Sequence, residues 1–153
     1  MSDQNIVEIT ASELLAAVQD LKTEGYRLGQ ACASKRGDKI ELLYSFDKDH
    51  VLKNLKLSLD NNEAVQSITH IYWAAFIYEN EMQDLFGVEF KNMALNYGGH
   101  FYKVSEPTPW NPESNFGKER ETIKVVEATE EVVTVEEVAT EEVIVEEEVK
   151  EDE

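Results

Sequence analysis

The chain has 153 residues, a formal net charge of −18, 42% apolar residues and one cysteine, Cys32. That is room for one domain of ordinary size plus an extension, and the charge argues against a polyanionic nucleic-acid partner. A single thiol excludes an intrachain disulfide and any zinc or iron–sulfur site ligated by cysteines of this chain alone.

The charge is uneven: residues 119–153 hold 15 acids against 3 bases, and residues 1–118 hold 17 against 11. MSDQNIVEIT has neither a basic n-region nor an apolar h-region, so secretion is not expected. No apolar run approaches the ~20 residues needed to span a bilayer. Membrane association is therefore expected only through partner subunits.

Ile6–Ile9 alternates and predicts a short first strand. Thr10-x-x-Glu13 is a capping box that opens a helix over about Ser12–Thr23. Leu14, Val18 and Leu21, with Leu15 and Ala17 alongside, give it a core face, and Gly25 is placed to end it. Burying such side chains is worth roughly 1.5–3 kcal/mol each, so this is a packing helix. Tyr26–Ala33 predicts a strand, and Lys35-Arg36-Gly37-Asp38 a hairpin turn with Gly37 at positive φ. In a second strand, Lys39–Phe46, the residues Ile40, Leu42, Tyr44 and Phe46 share one face, and Glu41 and Ser45 the other. Leu55, Leu57 and Leu59 alternate with Lys56 and Ser58 in a third, over about Val51–Leu59. Asp60-Asn61-Asn62 turns the chain, and Val65–His70 adds a last short strand. This order predicts an α+β core domain over residues 1–90, a mostly antiparallel sheet with two helices packed on one face.

Ile71–Phe90, IYWAAFIYENEMQDLFGVEF, is the stretch around which the rest is organised. Ile71, Ala75, Tyr78, Met82 and Leu85 form one stripe at 100° per residue, while Trp73, Phe76 and Ile77 lie elsewhere on the wheel. A helix so apolar is either sandwiched inside its domain or offers one face to another protein. Glu79 and Glu81 border the stripe, and Asp84 sits in the last turn, where an acid opposes the helix dipole by roughly 0.3–1 kcal/mol. Either these are solvated surface charges, or an Arg, a Lys or neighbouring backbone N–H groups compensate them. Gly87 can take the left-handed conformation that ends a helix, after which Val88 and Phe90 leave in an extended segment.

Residues 91–118 predict an irregular arm. Tyr97-Gly98-Gly99-His100 reads as a flexible loop, and Pro107, Pro109 and Pro112 forbid regular structure around Trp110. Such an arm lies across a surface, more commonly that of its own domain than a partner's. Residues 119–153 repeat Glu-Glu-Val at irregular spacing and predict a disordered or partly helical acidic low-complexity tail, with a solubilising role.

Catalytic motifs are scarce. His50, His70 and His100 are far apart, and there is no HExxH, GxGxxG, Walker A loop, nucleophile elbow or CxxC. Glu81, Asp84 and His100 are the one carboxylate–imidazole set the sequence offers a metal, and a weak one, because carboxylates at i and i+3 are common on helices. Nothing sets Glu79 and Glu81 across a cleft as a glycosidase pair would need.

YENEMQDLFGVEF resembles the signature of the 30-kilodalton subunit family of respiratory complex I, the NADH dehydrogenase of respiratory chains. That signature runs Glu-Arg-Glu, two residues, Asp, a large apolar residue, Phe/Tyr, Gly, Ile/Val. Glu79, Glu81, Asp84, Leu85, Phe86, Gly87 and Val88 match it in register. The same domain type occurs in energy-converting membrane-bound NiFe hydrogenases and formate hydrogenlyases. Asn80 stands where the family has Arg, and KNMALNYGGHFY replaces the usual Gly-His-Pro continuation, a difference that favours a short hydrogenase-type relative. The resemblance implies a scaffold subunit without cofactors, non-catalytic on its own, in the cytoplasmic arm of such a hydrogenase and peripheral at the cytoplasmic face of the membrane. Fe-S clusters and a Ni-Fe centre are then expected in the partners, a small Fe-S subunit and a large nickel-bearing one. The seven motif residues would be structural and interface residues. The alternatives are the 30-kilodalton subunit of an NADH:quinone oxidoreductase and an unrelated enzyme using Glu81, Asp84 and His100.

Overall fold

The structure is a computed structural model, and it describes residues 5–116. The acidic tail predicted for 119–153 lies outside the described residues. In chain order the elements are β1 (Ile6–Glu8), α1 (Leu14–Thr23), β2 (Arg27–Arg36), β3 (Lys39–Lys48), β4 (Val51–Asp60), β5 (Val65–Gln66), α2 (Ala75–Phe86) and β6 (Phe90–Lys91). One sheet has the order β1-β4-β3-β2. β2, β3 and β4 run antiparallel, and β1 joins β4 in parallel. β5 and β6 form a separate parallel pair. This is the predicted α+β class with a mostly antiparallel sheet.

Strand register decides where the core forms. Ala31 lies opposite Tyr44 and Tyr44 opposite Leu55, while Leu42 faces Leu57 and Ile40 faces Leu59, so one face of the sheet is apolar through its middle, with Lys35 and Lys53 at its margins. Leu14, Val18 and Leu21 of α1 and Ala75, Met82 and Phe86 of α2 bury against it in a single cluster. α2 packs mainly beside β2.

Local chemistry explains the boundaries. Glu13 accepts from the Thr10 N–H at 2.8 Å and from the Thr10 hydroxyl at 2.7 Å, half of a reciprocal capping box. The first turn is consequently irregular, and α1 starts at Leu14 rather than Ser12. α1 ends in a Schellman arrangement: the Gly25 N–H donates to the Lys22 carbonyl, the Tyr26 N–H to the Leu21 carbonyl, and Gly25 has φ +88°. Gly37, φ +60°, turns β2 into β3 as expected. The β3–β4 turn is made by Asp49 and His50, both left-handed without being glycine, and no glycine or proline marks it in the sequence.

Two predicted elements shrink. The last strand, predicted over Val65–His70, is only two residues long, because after the Ser67 N–H meets the Lys91 carbonyl the chain turns to bond the Glu79 side chain of α2. The central helix starts at Ala75; Ile71–Ala74 forms preceding turns, with the Ile71 N–H on the Ile68 carbonyl and the Ala75 N–H on the Tyr72 carbonyl. Residues 92–116 are irregular and follow α2 toward its C-terminus, meeting Asn80 at residues 95–97, Asp84 at Tyr102 and Gly87 at Ser114. The predicted loop at Tyr97–His100 is a turn closed by the His100 N–H on the Tyr97 carbonyl, with Gly98 and Gly99 both at positive φ.

Candidate functional site

α2 is folded with its polarity reversed. Glu79, Asn80, Gln83 and Asp84 are 0%, 0%, 1% and 3% exposed, whereas Trp73 just before the helix is 59% exposed and Ile77 is 44% exposed. The four polar residues stand at i, i+1, i+4 and i+5, an arc of about 140° on the helix surface. Of the apolar stripe read from the sequence, Ala75 and Met82 are buried, while Ile71, Tyr78 and Leu85 are half-buried. The alternative that these carboxylates are solvated surface charges therefore fails for Glu79 and Asp84.

Each buried polar group binds backbone or side chains outside the helix. Glu79 Oε1 accepts the Ile68 N–H at 2.9 Å, and Oε2 accepts the Ser67 hydroxyl at 2.5 Å. The chain of donors continues through the Thr69 hydroxyl, 2.6 Å from Ser67 Oγ, which accepts the Ala94 N–H at 2.8 Å. Asn80 Nδ2 donates to the Phe76 carbonyl at 2.7 Å and the Leu95 carbonyl at 2.9 Å, while its Oδ1 accepts the Tyr97 N–H at 2.9 Å. Gln83 Nε2 donates to Asn96 Oδ1 at 2.8 Å. Asp84 Oδ2 accepts the Tyr102 N–H at 2.6 Å. The helix is thus a polar spine that holds the 67–69 turn on one side and the 93–102 segment on the other.

Burial has an electrostatic cost. It raises the Glu79 carboxyl to about 7, against the opposing pull of the Ser67 and Ile68 donors. Burial also raises Asp84, opposed by the Tyr102 and Phe101 backbone and by nearby His100. Among the described residues, Asp84 Oδ1 and the fully buried Tyr44 hydroxyl have no hydrogen-bond partner. Burial and, second, the Glu79 charge push the Tyr44 hydroxyl well up. Compensation at the helix end comes from backbone N–H groups, one of the options open in the sequence.

Gly87 ends α2 at φ +70°, its N–H on the Gln83 carbonyl. A Cβ there would overlap the Ser114 side chain and crowd Thr108. The arm brings those residues by covering the helix end: the Trp110 N–H donates to the Leu85 carbonyl at 3.0 Å, Asn111 Nδ2 to the Phe86 carbonyl at 3.0 Å, and the Ser114 hydroxyl to the Gly87 carbonyl at 3.3 Å. Three consecutive carbonyls that the helix leaves open are each satisfied from the arm. Trp110 meets the Phe86 ring edge-on at 5.2 Å.

The predicted motif residues therefore divide. Glu79, Asp84, Phe86, Gly87 and Val88 are buried within the chain, while Glu81 and Leu85 are half-buried at the surface. Glu81 Oε2 accepts the Tyr102 hydroxyl at 2.9 Å. Glu81, Asp84 and His100 do not form a metal cluster; among the described residues no three His, Cys, Asp or Glu side chains converge on a point that could hold an ion. Sequence reasoning misses Asn80, Gln83, Ser67, Thr69, Asn111 and Ser114 as site residues. The signal for the first two was present: polar residues at helical spacing directly after the longest apolar run.

The fold is similar to a chain in the structure of the membrane-bound sulfane sulfur reductase, an archaeal respiratory membrane complex. The TM-score is 0.59 at 17% identity, with 80% of this chain and 79% of that chain covered. No individually curated protein matches the sequence. Residues 7–96, more than half of the chain and the whole of the polar spine on α2, match the family described as respiratory-chain NADH dehydrogenase, 30 Kd subunit. The chain belongs to that family.

Proposed function

We propose that this chain is a cofactor-free, non-catalytic scaffold subunit of a complex I-like membrane oxidoreductase of the energy-converting NiFe hydrogenase type. The observation that carries the reading is the use made of the motif. Glu79 and Asp84, the carboxylates that an enzyme would need free, are spent on the backbone of residues 68 and 102. Their work is to fix one surface geometry, which is what a scaffold needs. The structural likeness to a chain of a respiratory membrane complex supports this class of assembly at the level of fold.

Among the described residues no helix is long and apolar enough to cross a membrane, which suits peripheral attachment through partners at the cytoplasmic face. The hydrogenase assignment rests on the residues that depart from the complex I signature. Asn80, in the place of Arg, bonds the Leu95 carbonyl and the Tyr97 N–H, so the departure is built into how the segment after the motif folds. The second reading, the 30-kilodalton subunit of an NADH:quinone oxidoreductase, is favoured by the description of the matching family itself.

Mild-detergent extraction of native membranes carrying the tagged full chain, followed by identification of the associated subunits, tests this. A nickel-containing partner with two CxxC pairs and a small Fe-S subunit is the expected result. Recovery with NADH-oxidising subunits selects the second reading. Recovery of the chain alone, or substrate turnover by it unaided, overturns both.

A further inference from the structure

We propose that the outer face of α2 is a docking stripe for an apolar, arginine-bearing segment of a partner subunit, with Glu81 as the carboxylate that receives the guanidinium. The inference rests on the scaffold reading and adds where the partner sits and what chemistry it brings.

The stripe is the side of the helix that the polar spine leaves outside. Trp73, Ile77 and Glu81 succeed one another at four-residue spacing, one turn apart. At the far end Trp110 is fixed over the last turn by its N–H on the Leu85 carbonyl, and Tyr102 flanks Glu81 through its hydroxyl. Trp110 is 56% and Tyr102 41% exposed. These rings are already ordered: Trp73 lies 5.3 Å from Phe76 and Trp110 lies 5.2 Å from Phe86. Exposed aromatic side chains held in place lose little freedom on binding, and Trp and Tyr are the residues that anchor interfaces.

Charge selects the occupant. Glu8, Glu24, Glu41, Asp47, Asp60 and Glu113 each have a lysine or arginine partner, and none of these pairs includes a residue of α2. Among the described residues no cation lies within salt-bridge distance of Glu81, whose one polar partner is a phenol. A carboxylate among aromatic rings suits a guanidinium, which forks onto the carboxylate and stacks on the rings, better than a compact ammonium. A second copy of this chain, at net −18, would bring like charge, and so would residues 119–153 with 15 acids against 3 bases.

The test uses the complex from native membranes. A photo-crosslinking benzoylphenylalanine at position 77 should couple to a peptide of another subunit that carries arginine within a few residues. Trp73→Ala/Ile77→Ala should lower co-purified partner by at least about tenfold, the scale expected for hot-spot loss. Glu81→Gln should weaken retention and flatten its salt dependence, while Glu41→Gln on the sheet should leave retention unchanged. Because every changed side chain is at the surface, circular dichroism should show the same fold in each variant. Crosslinks to residues 119–153, to a second copy or to lipid overturn the inference, as does full retention by the double variant. That last outcome leaves the scaffold reading standing, whereas a wild-type chain recovered without partner subunits removes both.

Discussion

Glu79 is a fully buried carboxylate on the polar side of α2. A glutamate in the unfolded chain ionises near 4.5, while here burial raises it to about 7. Between those values the folded state holds the extra proton, so stability is greatest at the acid end of the window. It falls as pH rises through about 7, by a total on the order of 3 kcal/mol. Glu79→Gln keeps an acceptor for the Ile68 N–H and removes the titration. Thermal melts at pH 5 and pH 8 should show wild type losing stability across that interval and the variant staying level, more stable than wild type at pH 8; parallel curves would refute the assignment. Gly87 makes the other residue-scale prediction. An L side chain at φ +70° costs roughly 1–2 kcal/mol by itself, and here its Cβ also meets Ser114. Gly87→Ala should therefore lose more than that in denaturant unfolding, and Gly87→Ala/Ser114→Gly should recover only the steric part.

Among the elements, α2 depends on its neighbours in a way that helical propensity does not reveal. Its N-terminus has no side-chain cap and its last turn no basic residue, so the C-terminal carbonyls rely on the arm. Asn111→Ala removes the donor to the Phe86 carbonyl and the contact with Asn61 Oδ1. Amide exchange in the last turn of α2, read at Gly87, should accelerate about tenfold, the size of one lost buried hydrogen bond, while exchange in β3 and β4 stays unchanged. Equal acceleration in the sheet would mean that the arm supports the whole fold rather than the helix end. The arm also pairs Lys35 with Glu113 at 2.6 Å, but that pair is solvent-exposed and worth little.

For the whole molecule, the sheet provides the platform and α2 the geometry. α1, β3 and β4 bury their apolar faces in one core, and the parallel clip of β5 on β6 returns the chain after Gly87 to the start of the Ser67 turn. Gly87→Val disturbs the helix end and the arm together. On the scaffold reading, it should release this chain from an assembled complex while any clusters in partner subunits keep their spectroscopic signals. A normally assembled, active complex carrying Gly87→Val would count against the scaffold role.

What the sequence by itself determined was whatever depends on local period and backbone geometry. Alternation put Ile40, Leu42, Tyr44 and Phe46 on one face, 3.6-residue spacing put Leu14, Val18 and Leu21 on another, and Gly25, Gly37 and Gly87 marked positive φ. The motif from Glu79 to Val88 identified the family, because its residue types and spacing are themselves the signal. Only the tertiary structure decided which side of α2 faces in. Hydrophobicity along the helix favoured burying Ile77 over Glu79, but the backbone groups of residues 68, 95, 97 and 102 need partners that only the polar side chains supply. An unsatisfied buried backbone group costs about as much as an exposed apolar side chain forfeits, and several such groups on one side outweighed one isoleucine on the other. Those groups come from segments distant in sequence, and no window along the chain contains them together.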